Sequence, residues 1–239
     1  GTCTNEMGLC YFPKGKEYYE YLVHSSTGTT YKTIDDLKDA VEKQLNYDLM
    51  AMSKLLMDHE ELGKQLDHYQ FSHTDPNEIL EHLRVVIADD FPELEDASYT
   101  TKYVPSSLEQ TLSPAFFLVP PMDRYKDCVI YINQGSVSTS GDLYTTLAHE
   151  GYPGHLYQNV YFLGNCDIPL RKILSFSSYS EGWATYVESY AYTTDNGLSK
   201  ELGQLLAHNA SASLALHALL DININYYGWD KEQVSSYLS

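Results

Sequence analysis

The sequence predicts a mainly α-helical protein of the α+β class, with a small sheet of about three strands, antiparallel or mixed, before the helix that carries the main motif. Two observations lead to this prediction. Apolar residues recur at spacings of three and four over most of the chain, as on one face of a helix. Between residues 98 and 134 they give way to short β-branched and aromatic runs bounded by prolines. The 239 residues suffice for one domain with a substantial core, which we expect to span residues 1–239.

Two helices are predicted in the first part of the chain, after a polar, turn-rich segment at residues 1–30 that contains an aromatic cluster. The first helix begins after Thr33, a suitable N-cap with Asp36 three residues on, and continues to about Leu62. The second begins at Asp75, where Pro76 takes the first helical position. It is expected to end at Phe91-Pro92, because a residue that precedes proline avoids helical geometry.

Strands are predicted at residues 98–104, 115–119 and 128–133, followed by further helices. Apolar periodicity indicates helices at 141–162, 178–193 and 199–226. One more helix begins at Asp230, which is suited to cap it. Because that helix begins so close to the last residue, we expect the chain to be a fragment of a longer protein.

The most informative segment of the sequence places His149, Glu150 and His155 close together. Two imidazoles and a later carboxylate can hold a catalytic zinc ion, and a glutamate after the first histidine is the usual general base. Histidines six residues apart, however, point about 240° apart on a regular helix. Pro153 and its neighbouring glycines therefore predict a widened or broken turn at residues 151–154. The other interpretation is two unrelated surface histidines beside a Pro-Gly break.

A second acidic motif follows at residues 180–188. Glu181 and Glu188 are seven residues apart, which puts both carboxylates on one face of a helix. Such a pair could supply one metal ligand and one partner for a ligating histidine. A solvated helix face would show the same spacing, although Trp183, Val187 and Tyr190 indicate that this helix is partly buried.

Composition excludes some classes of function. The net charge of −18 argues against nucleic acid as a partner, because the phosphates would be repelled. No apolar run approaches the roughly 20 residues that a membrane span requires. The four cysteines contain no CxxC pair, so a cysteine-based zinc site is not expected, and a bridge between Cys3 and Cys10 stays open. The acidic balance slightly favours an extracytoplasmic or secreted setting.

The chain resembles the bacterial domain-of-unknown-function family 885, which is similar to helical zinc metallopeptidases of the gluzincin type. The resemblance covers most of the chain in the right order. It rests on four stretches: residues 8–22; residues 121–133, which contain Pro121-Met122-Asp123 and Val129-Ile130-Tyr131-Ile132-Asn133; His149-Glu150 with Pro153-Gly154-His155 and Gln158; and Ser180-Glu181-Gly182-Trp183-Ala184 with Tyr186 and Glu188, followed by Asp221 and Gly228-Trp229. The third and fourth stretches are the specific ones.

The resemblance implies a helical, zincin-like architecture and a zinc-dependent peptidase acting on a peptide substrate. His149, His155 and Glu181 would be the zinc ligands, and Glu150 the general base. The strand at 128–133 would be an edge that pairs with the substrate backbone. Further candidates for residues that support the ligands or contact substrate are Glu188, Asn133, Tyr131, Gln158, Asp221 and Tyr227. Possible donors to an oxyanion are Tyr226, Tyr227, His208 and His217.

The sequence also departs from the family pattern around Asp221. Leu214 and His217 stand where arginines are expected, and Asn225 stands where a histidine often follows. These departures favour an alternative function, a catalytically degenerate metal- or peptide-binding module. A third interpretation is a plain helical scaffold in which the histidine motif is accidental.

Overall fold

The computed structural model describes residues 7–94, 97–137 and 143–239, and it confirms the predicted class: mainly helical, with a small three-stranded mixed sheet. In chain order the strands are β1 (Ser98–Tyr103), β2 (Ala115–Leu118) and β3 (Asp127–Ile132). The helices are α1 (Gly15–Thr27), α2 (Ile34–Asp58), α3 (Leu62–Gln65), α4 (Pro76–Val86), α5 (Gln134–Val137), α6 (Leu143–Glu150), α7 (His155–Asn165), α8 (Pro169–Ile173), α9 (Ser177–Ala191), α10 (Lys200–Asn225) and α11 (Lys231–Tyr237).

The chain forms two compact units. The central unit is Glu61–Ala207, and the terminal unit combines Gly1–Glu60 with His208–Ser239. The sheet and helices α3 to α9 lie within the central unit, and the boundary at Ala207 falls inside α10.

Local capping signals placed three helix starts correctly. The Thr33 side chain accepts a hydrogen bond from the Asp36 backbone N–H at the start of α2. Asp75 caps α4 in the same way, with Pro76 at the first turn. Asp230 forms a capping box with Gln233 at the start of α11. Helix α4 ends at Val86, earlier than predicted, and residues 87–90 continue as turns.

Helix α1 lies within residues 1–30, where the sequence predicts only a polar, turn-rich segment. Helix α1 begins after Lys14, which has a left-handed backbone conformation, and it buries Tyr19 and Val23. These two side chains pack with Ile34 and Ile222 in the core of the terminal unit. Burial of this face accounts for the helix, because packing commonly overrides weak local propensity.

The strand order is β1-β3-β2, with β1 parallel and β2 antiparallel to β3. The prediction that residues 128–133 form an edge strand is therefore wrong. Strand β3 is hydrogen-bonded on both sides, which leaves no free edge for a substrate backbone. The two edges of the sheet belong to β1 and β2 instead.

Helix α6 lies at the centre of the central unit, where it packs against α4, α9 and β2. Its Leu147 is fully buried, as are Leu80 of α4, Ile130 of β3 and Val187 of α9. Because this apolar packing fixes α6 on several sides, the residues at its C-terminal end, His149 and Glu150, are held in position.

Cys10, Cys128 and Cys166 are in no disulfide within the described part of the chain. Cys3 lies outside the described residues, so its proposed bridge to Cys10 stays a prediction. Of the helices in the described ranges, none is both long and apolar enough to cross a membrane.

Candidate metal centre

The helix that carries the histidine motif is broken, as the sequence predicts. Helix α6 ends at Glu150 and α7 begins at His155, with a cis peptide bond between Tyr152 and Pro153. Backbone pairing resumes across the break, where the Tyr157 N–H donates to the Gly151 carbonyl six residues earlier, at 3.2 Å. A regular helix would pair residues four apart, so the break contains two extra residues.

The broken helix brings the two histidines together. Their ring centroids are 4.8 Å apart, and the ring planes are nearly perpendicular at 87°. One ligand atom from each of His149, Glu150 and His155 lies within 4.8 Å of the others. Helix α9 adds a carboxylate, because Glu181 Oε2 lies 3.6 Å from Nε2 of His149 and 3.6 Å from Nε2 of His155.

Two of the distances among these atoms can be compared with those of a tetrahedral zinc site. With zinc–nitrogen and zinc–oxygen bonds of about 2.0–2.1 Å and tetrahedral angles, neighbouring ligand atoms lie roughly 3.3 Å apart. The two observed distances of 3.6 Å are close to that value. Two imidazoles and one carboxylate are a known ligand set for catalytic zinc, with the fourth position open. His149, His155 and Glu181 are therefore the residues that could hold the ion.

Hydrogen bonds to Nδ1 of each histidine orient the ring so that Nε2 faces the candidate metal position. Nδ1 of His149 lies 3.1 Å from Oε2 of Glu188, and a carboxylate can only accept, so Nδ1 carries the proton. Nδ1 of His155 lies 3.3 Å from the Ser180 hydroxyl, which itself donates to Gln158 Oε1 at 3.4 Å. In the neutral form of each ring, Nε2 is then the nitrogen that keeps a lone pair for a metal, as in sites where an outer partner orients each histidine.

Glu150 is held beside the histidines by the sheet. Its Oε2 accepts a hydrogen bond from the backbone N–H of Phe117 in edge strand β2, at 2.8 Å. Burial raises the pKa of the Glu150 carboxyl above its ordinary value, although the Phe117 N–H and His149 oppose the shift. A raised pKa suits a carboxylate that must take up a proton near neutral pH.

The pKa values of the two histidines shift in opposite directions. Burial lowers the pKa of His149, but the hydrogen bond to Glu188 and the charges of Glu150, Glu188 and Glu181 outweigh burial and raise it. Burial and the charge of His149 together lower the pKa of His155, against the attraction of Glu181. A neutral imidazole is the form that ligates metal, so the low pKa of His155 favours coordination.

The candidate centre opens into a cavity of about 720 Å³. Glu150, His155 and Glu181 line this cavity, together with Gln158 and Phe117. A cavity of this size is typical of sites that bind small molecules.

Of the other predicted candidates, Glu188 and Gln158 lie at the centre. Tyr131 stacks on Phe116, with ring centroids 5.2 Å apart. Asn133 is fully buried and donates to the carbonyls of Glu109 and Leu112, which is a structural role.

Asp221 and Tyr227 belong to the terminal unit. There Asp221 accepts a hydrogen bond from Tyr19, and Tyr227 donates to Asp35. The sequence did not predict the contact of the Phe117 N–H with Glu150 or that of the Ser180 hydroxyl with His155, since no sequence pattern shows which backbone N–H or hydroxyl will face the motif.

Comparisons with known proteins agree with this fold. A family model described as "Bacterial protein of unknown function (DUF885)" matches residues 2–239. No curated protein matches the chain. Among solved structures, the chain is similar to one described as "the putative lipoprotein from Colwellia psychrerythraea", with a TM-score of 0.81 and 20% sequence identity. The match covers 99% of this chain and 44% of the other, so the chain spans less than half the length of that protein.

Proposed function

This chain belongs to the bacterial protein family DUF885, and from that premise we propose that it is a zinc-dependent metallopeptidase that hydrolyses peptide bonds. The observation that carries the proposal is the position of Glu181 Oε2, at 3.6 Å from the Nε2 atoms of both His149 and His155. Glu181 Oε2 is equally distant from the two histidines, and Glu150, which follows the first histidine, lies beside them.

Each residue then has a defined task. Zinc, when bound, would supply a Lewis acid and a water whose pKa is lowered to about 7. Glu150 takes the proton of the attacking water and passes it to the leaving amine. Its Oε2 already accepts a hydrogen bond from the Phe117 N–H, so we expect Oε1 to accept the proton. Glu188 keeps the His149 ring oriented throughout.

Glu150→Gln is the variant that tests the proposal. We expect this variant to retain one zinc per chain and to lose hydrolysis of a quenched fluorescent peptide library, because its amide cannot take up the proton. Glu93→Gln, an exposed residue of the same unit, is the matched control and should keep wild-type activity. Chelation should abolish wild-type hydrolysis and added zinc should restore it. If wild-type protein binds zinc and cleaves no library peptide, the peptidase proposal is wrong.

The alternative is a module that binds metal or peptide without turnover. It is supported by Leu214 and His217, which replace the arginines of the family pattern. Leu214 is exposed, and His217 is engaged with the Ser213 carbonyl of its own helix. Under this alternative the wild type and Glu150→Gln would bind peptide equally and neither would cleave it.

We also propose that the protein works outside the cytoplasm. The support is the description of the Colwellia structure as that of a lipoprotein, together with the acidic balance of this chain. Fractionation of cells that produce the tagged protein would test this, and recovery in the cytoplasmic fraction alone would contradict it.

A further inference from the structure

We infer that Arg171 and Lys172 bind a carboxylate of the peptide substrate, in the cavity that contains the candidate metal centre. The inference rests on the proposed function and specifies its substrate class. Both cations line the same cavity of about 720 Å³ as Glu150, His155 and Glu181. A peptide whose scissile bond lies at the histidines therefore extends towards two positive charges.

Lys172 is positioned by the end of a neighbouring helix. Its Nζ donates to the carbonyl of Leu163 at 2.8 Å, in the last turn of α7. The C-terminal end of a helix carries partial negative charge, which favours an ammonium group there. An ammonium group has three N–H donors, so two of them are left for a ligand.

Arg171 is positioned by an aromatic ring. Its guanidinium carbon lies 5.7 Å from the centroid of the Phe162 ring, which is a cation–π contact. A guanidinium group can bind a carboxylate with two parallel hydrogen bonds. Within the described ranges of the chain, neither Arg171 nor Lys172 forms an ion pair with an acidic side chain.

The charge of these two residues is opposite to that of the chain, which has 33 acidic and only 15 basic residues. In a chain of net charge −18, two adjacent unpaired cations in one cavity are best explained by an anionic ligand. Phe117, Val119 and Phe176 also line this cavity, so it suits a peptide that has an apolar residue as well as a carboxylate.

A peptide can present a carboxylate at its C-terminus or on an acidic side chain, and two peptide pairs separate these sources. The first pair is N-acetyl-trialanine with a free C-terminus and the same peptide as its C-terminal amide. The second pair is two peptide amides that differ only by glutamate against glutamine. Binding is measured by calorimetry on wild-type protein without added metal, so the result does not depend on hydrolysis.

We expect the carboxylate member of at least one pair to bind about tenfold more tightly than its neutral partner. This preference would oppose the net charge of the chain, which by itself disfavours an anionic peptide. The tighter binding of the carboxylate peptide should disappear in the Arg171→Gln, Lys172→Gln double variant. The matched control, the Arg124→Gln, Lys102→Gln double variant, removes two exposed cations of the same unit that lie outside the cavity and should keep the preference.

Preference for the free C-terminus would make the enzyme a carboxypeptidase, and preference for the glutamate peptide would make it an endopeptidase directed by acidic residues. Equal binding within both pairs, or a preference that survives loss of both cations, would overturn the inference. If the carboxylate peptide binds more tightly but neither peptide is hydrolysed after zinc is added, the carboxylate site is supported and the peptidase proposal is contradicted.

Discussion

The indole N–H of Trp183 donates a hydrogen bond to the carbonyl of Pro153, with 2.7 Å between the two atoms. This bond joins α9 to the break between α6 and α7. Trp183 lies two residues after Glu181, so the same contact ties a candidate zinc ligand to the segment that separates the two histidines.

Trp183→Phe removes this donor and keeps an aromatic ring against Phe91. We expect the free energy of unfolding to fall by about 1–3 kcal/mol, because the partly buried Pro153 carbonyl loses its partner. Zinc affinity should fall as well. Urea denaturation and chelator competition measure the two effects. The control is Trp229→Phe in the terminal unit, and equal effects of the two substitutions on zinc affinity would contradict the role of Trp183.

Glu188→Gln tests the orientation of His149. The amide can still accept a hydrogen bond from Nδ1, but it lacks the charge that strengthens the bond, and it offers a competing N–H₂ group. We expect zinc affinity to fall about 10–100-fold, the usual effect of losing an outer partner of a metal-bound histidine. Competition with a chromophoric chelator would measure it. An unchanged dissociation constant would show that Glu188 has no such role.

Gly154→Ala should damage the site, and Gly182→Ala should not. A Cβ atom at Gly154 would lie 1.8 Å from the His149 carbonyl oxygen, whereas one at Gly182 would meet nothing within 4 Å. We expect Gly154→Ala to cost about 1–3 kcal/mol of unfolding free energy and to lower zinc affinity. Gly182→Ala, inside helix α9, should stabilise by about 0.5–1 kcal/mol. Thermal unfolding with and without zinc would distinguish the two variants.

Asp48 gives the terminal unit an acid-sensitive contribution to stability. Its burial raises the carboxyl pKa, but hydrogen bonds from Ser211, His208 and Gln44 outweigh burial and hold the pKa below its ordinary value of 3.8. A depressed folded-state pKa stabilises the fold above the unfolded value, and that stability is lost as pH falls through the folded value.

Wild-type protein should therefore lose unfolding free energy more steeply below about pH 4 than Asp48→Asn, which cannot titrate there. Above that pH the Asn variant should be the less stable of the two, because a charged acceptor is replaced by a neutral one. Urea denaturation at a series of pH values would measure both effects. Asp58→Asn, an exposed change on the same helix, is the control and should follow the wild-type profile.

The sequence predicted the features that local chemistry determines. Caps at Thr33, Asp75 and Asp230 depend on residues three apart or less, and the break before His155 follows from a proline that cannot pair with the His149 carbonyl. The order of strands could not be predicted in this way. Strand β3 is central because β1 joins it in parallel from about 30 residues earlier in the chain, a pairing that no alternation pattern specifies.

The site was likewise predictable only in part. His149, Glu150, His155 and Glu181 were identified through motif spacing and resemblance, and the structure brings them together. The contact between Glu150 and the Phe117 N–H was not foreseen, since backbone donors have no sequence signature. Helix α1 was likewise not predicted. The aromatic cluster that contains Tyr19 has no strong helical signal by itself, and the residues it packs against are distant in the sequence.

Glu181 and Glu188 belong to the same rigid helix, two turns apart. A displacement of α9 along its axis would therefore move the candidate ligand Glu181 away from the two histidines and remove the Glu188 contact to the His149 ring at the same time. A change that shifts this helix should therefore alter the candidate metal position and the orientation of the His149 ring together.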